Sequence, residues 1–286
     1  MKPFNLISLT LLASAAAVLS GCAMYNEHST RHSSSLVNYL YPKGMSEPDK
    51  PGTPTLALPL KVGIAWVPEQ KAGAREYFTS ALSENRKMEL LSQVVPNFKS
   101  YEFVKSIEVI PSAYLTPGGG FANLDQIRSM YGVDVIALAS YDQMQFTSEG
   151  LLSFAYWTVV GAYVVQGERN DTQTMIDTVV YDVASRKLLF RAPGTSRIKA
   201  SATPVNLGEQ LRKDSDRGFD QAATNMVANL QQQLAQFRQR VKESPAEFKV
   251  VHKPGYTGAG SVGWVGVVLA GLLGLAAIRR SQSLSR

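Results

Sequence analysis

The sequence predicts an α+β domain built on one mixed, largely antiparallel sheet with covering helices. Three observations predict it. Strand-like and helix-like segments alternate between Lys61 and Ala139; from Phe154 to Ala200 strand-like segments follow one another with short connections; and about Asp216 to Lys242 carry an apolar stripe at helical spacing.

In chain order, Lys43 to Pro59 holds Pro48, Pro51, Pro54 and Pro59 with little apolar content and reads as an extended tether. Lys61 to Val67 is a short apolar strand ended by Pro68, and Ala74 to Ser92 shows helical spacing at Phe78, Ala81, Leu82 and Leu90. Phe103 to Ile110 is a second strand. Leu124, Ile127, Arg128 and Tyr131 mark a short helix with Asn123 as its cap, and Tyr131-Gly132 leads into a buried strand, Val133 to Ala139. Asp134 is placed to fix that helix-to-strand turn. Phe154 to Val165 is uncharged and aromatic and reads as a core strand. Leu151 to Val165 also has the composition of a membrane segment, but 15 residues fall short of a span. Thr172 to Asp182 alternates at Met175, Asp177, Val179 and Tyr181, and a tight Ala184-Ser185-Arg186 turn feeds Lys187 to Ala200. The last helix gathers Phe219, Ala222, Ala223, Met226, Leu230, Leu234 and Phe237 on one face.

Both ends of the chain address a membrane. The first 21 residues carry one charge, Lys2, then an apolar run, which is the layout of an export signal. It closes on Leu19-Ser20-Gly21-Cys22, and Cys22 is the chain's single cysteine, so no intramolecular disulfide competes for it. At the other end Val262 to Ile278 is an uncharged run of 17 residues, the lower limit for crossing a hydrocarbon core of about 30 Å. Arg279 and Arg280 follow it, which leaves the tail cytoplasmic and the domain outside. Gly258-Ala259-Gly260-Ser261 and Gly263 lead into that run, and glycine costs a helix about 1 kcal/mol relative to alanine, so the entry frays and exposes cleavable backbone.

Leu19 to Cys22 resembles the lipobox of bacterial lipoproteins. The resemblance implies that Cys22 becomes the mature first residue, acylated on sulfur and amine by the lipoprotein maturation enzymes. The glycine-containing lead, short apolar helix and closing arginines resemble the GlyGly-CTERM tails cut by rhombosortases, intramembrane serine proteases. Here Gly258-Ala259-Gly260 stands in place of the usual Gly-Gly pair. Ser33-Ser34-Ser35-Leu36-Val37-Asn38-Tyr39-Leu40-Tyr41-Pro42 resembles the opening of rhombotarget lipoproteins, so the similarity touches both ends and the start of the mature chain. A plain uncleaved anchor is the alternative for the tail, and an ordinary signal peptide the alternative for the leader.

Charge says little about the middle. Lys2, Arg279, Arg280 and Arg286 are four of the 29 basic residues, and the ends hold none of the 23 acidic ones, so the part between them carries +2 of the net +6. No basic stripe with interleaved aromatics supports nucleic-acid binding. Arg238, Arg240 and Lys242 read as the cationic last turn of a helix.

Catalytic candidates are few. His28, His32 and His252 lie toward the ends, outside the expected core, which leaves a serine or cysteine nucleophile there without a positioned histidine base. His28 and His32 are four apart but lack a third metal ligand nearby. Pro117-Gly118-Gly119-Gly120-Phe121 has no lysine or hydroxyl of a phosphate loop and reads as a turn. Asp134, Asp142, Asp171, Asp177 and Asp182 are scattered over strand ends and turns, and a carboxylate pair needs geometry that sequence does not supply.

The expected organisation is a lipoprotein signal peptide at 1–21, a lipidated and Pro-rich segment at 22–59, a periplasm-side domain at 60–247, a processing region at 248–261, a transmembrane helix at 262–278 and a basic tail at 279–286. The expected function is a non-catalytic envelope lipoprotein, without cofactor or metal, whose partners are membrane lipid, the maturation enzymes and a rhombosortase-type protease. An assembly or scaffolding factor with an uncleaved anchor is the alternative, and a carboxylate-dependent envelope enzyme is a third class.

Overall fold

The computed structural model describes residues 27–42, 51–69, 82–149, 168–203 and 205–256. Fourteen residues or more of uninterrupted β-pattern are uncommon, yet the sheet here is organised around β5, Val135–Glu149, with β6, Glu168–Asp182, paired to it antiparallel along its whole length and β7, Lys187–Ala202, paired to β6. On the other edge of β5 two strands lie end to end. β3, Leu60–Trp66, runs parallel to its first third, and β1, Glu27–Ser33, runs antiparallel to the rest from Asp142 to Ser148. They meet where the Ser34 N–H donates to the Tyr141 carbonyl at 2.8 Å and the Val67 N–H to that of Ala139 at 2.8 Å. β4, Val104–Ile110, continues the sheet beyond β3 as a parallel neighbour. The result is the α+β domain with a mixed sheet that the strand and helix patterns predict.

Alternation assigns the two faces. On β5 the odd residues Val135, Ala137, Ala139 and Tyr141 join Ile176 and Val180 of β6 under α5, the 37-residue helix Leu207–Glu243. The even residues Ile136 and Leu138, with Val179 and Tyr181, meet the opposite layer, which is α1, Leu36–Leu40, and α4, Gly120–Tyr131. α2, Glu84–Val94, and the short α3, Pro96–Lys99, pack on the α5 side through Leu90, Leu91, Val94 and Phe98. Ser83 caps α2 by accepting from the Arg86 N–H at 3.3 Å.

α5 approaches the sheet most closely at Gly194 of β7. A Cβ there would stand 2.5 Å from the Met226 backbone nitrogen and nearer still to the Ala222 carbonyl, and neither backbone atom can yield. Gly194→Ala is therefore expected to lower stability by about 1–3 kcal/mol, read as a lower denaturant midpoint at unchanged slope; an unchanged midpoint removes the close approach.

Several expectations are corrected. The folded unit exceeds 60–247 at both ends. β2, Thr55–Leu58, lies inside the expected tether, with Leu56 buried, and pairs parallel to β8, Lys249–His252, inside the expected linker. Prolines 54 and 59 bracket a four-residue strand rather than a solvated spacer. His28 and His32 belong to β1, not to a mobile segment, and Tyr39 and Leu40 are 2% exposed beneath the sheet. Asn123 is not a cap: α4 starts three residues earlier, and the buried Asn123 side chain accepts from the Tyr39 hydroxyl and the Thr116 N–H, both at 2.9 Å. Gly118 (φ 68°) supplies the left-handed turn before it, as Gly132 (φ 62°) does after it. α5 starts at Leu207, nine residues before Asp216. Residues 74–81, Phe154 to Val165, Cys22 with its lipobox and the run from 257 onward lie outside the described residues. Among the described residues no helix is long and apolar enough to cross a membrane.

Candidate functional site

Each carboxylate singled out in the sequence is engaged by a neighbour. Asp142 pairs with Arg31, Asp171 with Arg197 and Asp177 with Arg191, a row of ion pairs on an exposed face that solvent screens. Arg197 holds the Asp171 carboxyl below the usual range, so that pair's contribution is present above the unfolded carboxylate pKa and fades as pH falls through the lowered value. Asp182 accepts from the Ser185 N–H at 2.9 Å in the β6–β7 turn. Asp134 does not close the α4–β5 turn on itself. Its carboxylate takes the Lys61 N–H at 2.8 Å and the Lys253 Nζ at 2.7 Å, which ties the starts of β3 and β5 to the chain beyond β8.

The buried ionisable groups are internally held. Lys87, 5% exposed, reaches Glu69 at 3.0 Å and Glu84 at 2.9 Å. Burial beside Tyr41 pushes the Tyr181 phenol up to about 12. His252 stacks on Tyr256, and no group of three or more His, Cys, Asp or Glu able to hold a metal occurs among the described residues.

The α5–sheet interface divides into two halves of opposite character. Toward the β1 end it is polar: Gln143 donates to the Thr174 hydroxyl at 2.8 Å and accepts from the Ser215 hydroxyl at 2.7 Å, while Gln145 donates to the Leu211 carbonyl at 2.8 Å. Both amides of this half thereby bind helix to sheet where apolar packing is missing. Among the described residues the buried Asn170 amide and one Asp214 carboxylate oxygen meet no hydrogen-bond partner.

At the opposite end, beside the start of β5, the same interface opens into an apolar cavity of about 610 Å³. Its floor is Val62, Ile64, Ile107 and Val135; its walls are Phe98 of α3 and Leu230, Leu234, Phe237 and Val241 of α5; Leu56 and Leu58 of β2 and Val250 of β8 close one side. Val62, Phe98, Ile107 and Val241 are only partly buried although apolar, because the helices stand off the sheet here. Polar groups gather at the rim: Ser100, Tyr101, Glu102, Arg238, Lys242, His252 and Tyr256. The volume is that of a small-molecule site, about 300–1,000 Å³. Sequence reading missed it because part of its lining, Leu56, Leu58, Phe98, Val250 and His252, comes from β2, α3 and β8, each only four residues long. The Arg238, Arg240 and Lys242 cluster was the available signal, since an i, i+4 pair of cations beside an apolar stripe need not be a simple helix terminus.

None of the expected lipidation, processing or topology residues, Cys22, Gly258 to Ser261, Gly263, Arg279 and Arg280, falls within the described residues, so the structure speaks only to where their neighbours emerge. Glu27 pairs with Ser148 at the far end of β5; Lys253 is bound to Asp134 at its start.

No protein family profile and no curated protein matches the chain. Among solved structures it is similar to a putative neuraminyllactose-binding hemagglutinin homolog from Helicobacter pylori, at 10% identity over 72% of this chain and 97% of that one, with a TM-score of 0.34. It is also similar to a PelC dodecamer from Paraburkholderia phytofirmans, at 12% identity over 70% and 99%, with a TM-score of 0.26.

Proposed function

We propose that this chain is a non-catalytic lipoprotein of the bacterial cell envelope, anchored by acylation at Cys22 and processed at its carboxyl tail by a rhombosortase-type protease. Residues 1–21 are the removed leader. Residues 262–278 hold the uncleaved form in the inner membrane, with Arg279 and Arg280 inside.

The observation that carries the reading is the placement of the two ends relative to β5. β1 begins at Glu27, five residues after Cys22, and pairs with β5 along its length, so a lipid anchor at Cys22 lies within five residues of the sheet. The other end leaves from Tyr256, six residues before Val262. Asp134, bound to Lys253, and Ser148, paired with Glu27, are 14 residues apart along one sheet, about 46 Å at ~3.3 Å per residue. The five residues from Cys22 to Glu27 and the nine from Lys253 to Val262 reach at most about 18 and 32 Å. An upright domain cannot serve both anchors in one membrane. The uncleaved protein therefore does not stand on end, and loss of the tail frees it to stand on the Cys22 lipid alone. Charge agrees with a role outside nucleic-acid chemistry.

The test is the intact mass of the protein purified from membranes. The expected mass starts at an acylated Cys22 and ends between about Gly258 and Gly263. A mass retaining residues 1–21 sinks the anchor, and one retaining residues to Arg286 favours the scaffolding alternative with its permanent helix.

A further inference from the structure

We propose that the apolar cavity under the C-terminal half of α5 binds a single-chain amphiphile with an anionic head, a long-chain fatty acid in chemical class. The inference does not depend on processing at either end.

The lining decides the tail. Inside the cavity every wall is aliphatic or aromatic, from Val62 and Ile107 on the sheet to Phe98, Leu234 and Val241 on the helices, and no charged side chain is buried within it. Water there meets no hydrogen-bond partners on those walls, whereas an apolar chain replaces it and covers the half-exposed side chains. The rim decides the head. Arg238 and Lys242 project from one face of α5, both exposed, and neither meets a carboxylate among the described residues; Arg238 lies over the Phe103 ring at 5.4 Å. Glu102 is the one acidic group at the rim, so two cations face one carboxylate and an anion is favoured. Arg240, between them in sequence, is spent elsewhere, donating to the Leu189 carbonyl at 2.9 Å.

Two occupants from this chain fit less well. Residues 262–278 as a helix about 10 Å across and 25 Å long need roughly 2,000 Å³, well above the 610 Å³ of the cavity. The acyl chains on Cys22 start at the wrong end: Ala137 in the cavity wall and Ser148 beside Glu27 are 11 residues, about 36 Å, apart along β5. The five-residue connection covers about half of that.

The experiment uses the full chain, purified in a nonionic detergent and exposed to a photoactivatable palmitate analogue. Label is expected on residues 96–107 and 230–242 and is expected to be displaced by unlabelled oleate. Leu234→Trp, which fills the cavity from its wall, should cut that label at least tenfold while the protein keeps a cooperative unfolding transition. Arg238→Glu with Lys242→Glu changes only exposed side chains; it should cut labelling by the fatty acid at least tenfold and leave labelling by the alcohol of equal chain length within twofold. Label confined to residues 262–278, or undiminished in a folded Leu234→Trp protein, overturns the cavity as the site. Equal loss of acid and alcohol in the charge-reversed protein overturns the anionic head.

Discussion

Cys22→Ser is expected to abolish incorporation of a fatty-acid label altogether and to leave the leader uncut or cut elsewhere. The chain has one cysteine, so no second thiol substitutes for it. The domain itself should be untouched, because β1 is held by its ladder to β5 and by the Arg31–Asp142 pair, neither of which involves residue 22. The effect on attachment is large because each buried methylene contributes about 0.8 kcal/mol and a lipoprotein carries several chains. A second consequence separates the anchors. While the tail is uncut, the serine variant stays with the inner membrane; once the tail is cut, nothing holds it and it is released. Undiminished labelling of the serine variant sinks the lipobox reading.

Much of the architecture is legible in the sequence where burial writes a pattern. Val135 to Ala139 is buried on both faces and so reads as a continuous apolar run, while Thr172 to Asp182 faces α5 with alternate residues and reads as alternation. α5 announces itself through the stripe from Phe219 to Phe237. Its first nine residues do not, since Leu207 to Ser215 meet the sheet through the hydrogen-bonded network of Gln143, Gln145 and Ser215 rather than through apolar contact. β1 has no pattern to read: Glu27-His28-Ser29-Thr30-Arg31-His32-Ser33 is entirely polar and is a strand because β5 offers an unpaired edge beyond the end of β3. β2 and β8 are each stabilised by the other, 191 or more residues apart in sequence, a relation that local propensity does not carry. The cavity was hidden for the same reason.

The largest consequence concerns the tail. Transfer of an intact protein out of the inner membrane requires Arg279 and Arg280 to pass through hydrocarbon, at about 2.5–3.5 kcal/mol each on insertion scales. On the proposed topology it also requires a domain tethered near both ends of β5, through the chain before Glu27 and the chain after Lys253, to lift away with one anchor still in place. Cutting between about Gly258 and Gly263 removes both obstacles at once. Ala23 follows Cys22, and in the lipoproteins this sequence resembles an aspartate there favours inner-membrane retention, so the lipid alone permits transfer onward. Deleting the rhomboid-type protease, or substituting Gly258→Leu, Gly260→Leu and Ser261→Leu to stiffen the helix entry, is expected to move essentially all of the protein to the inner-membrane fraction, heavier by the residues beyond the cut. A cooperative unfolding transition of the substituted protein checks that the domain is still folded. The check is membrane fractionation with the mass of each form. A full-length protein carrying Arg286 in the outer-membrane fraction defeats the model, since it must have left the inner membrane with its second anchor intact.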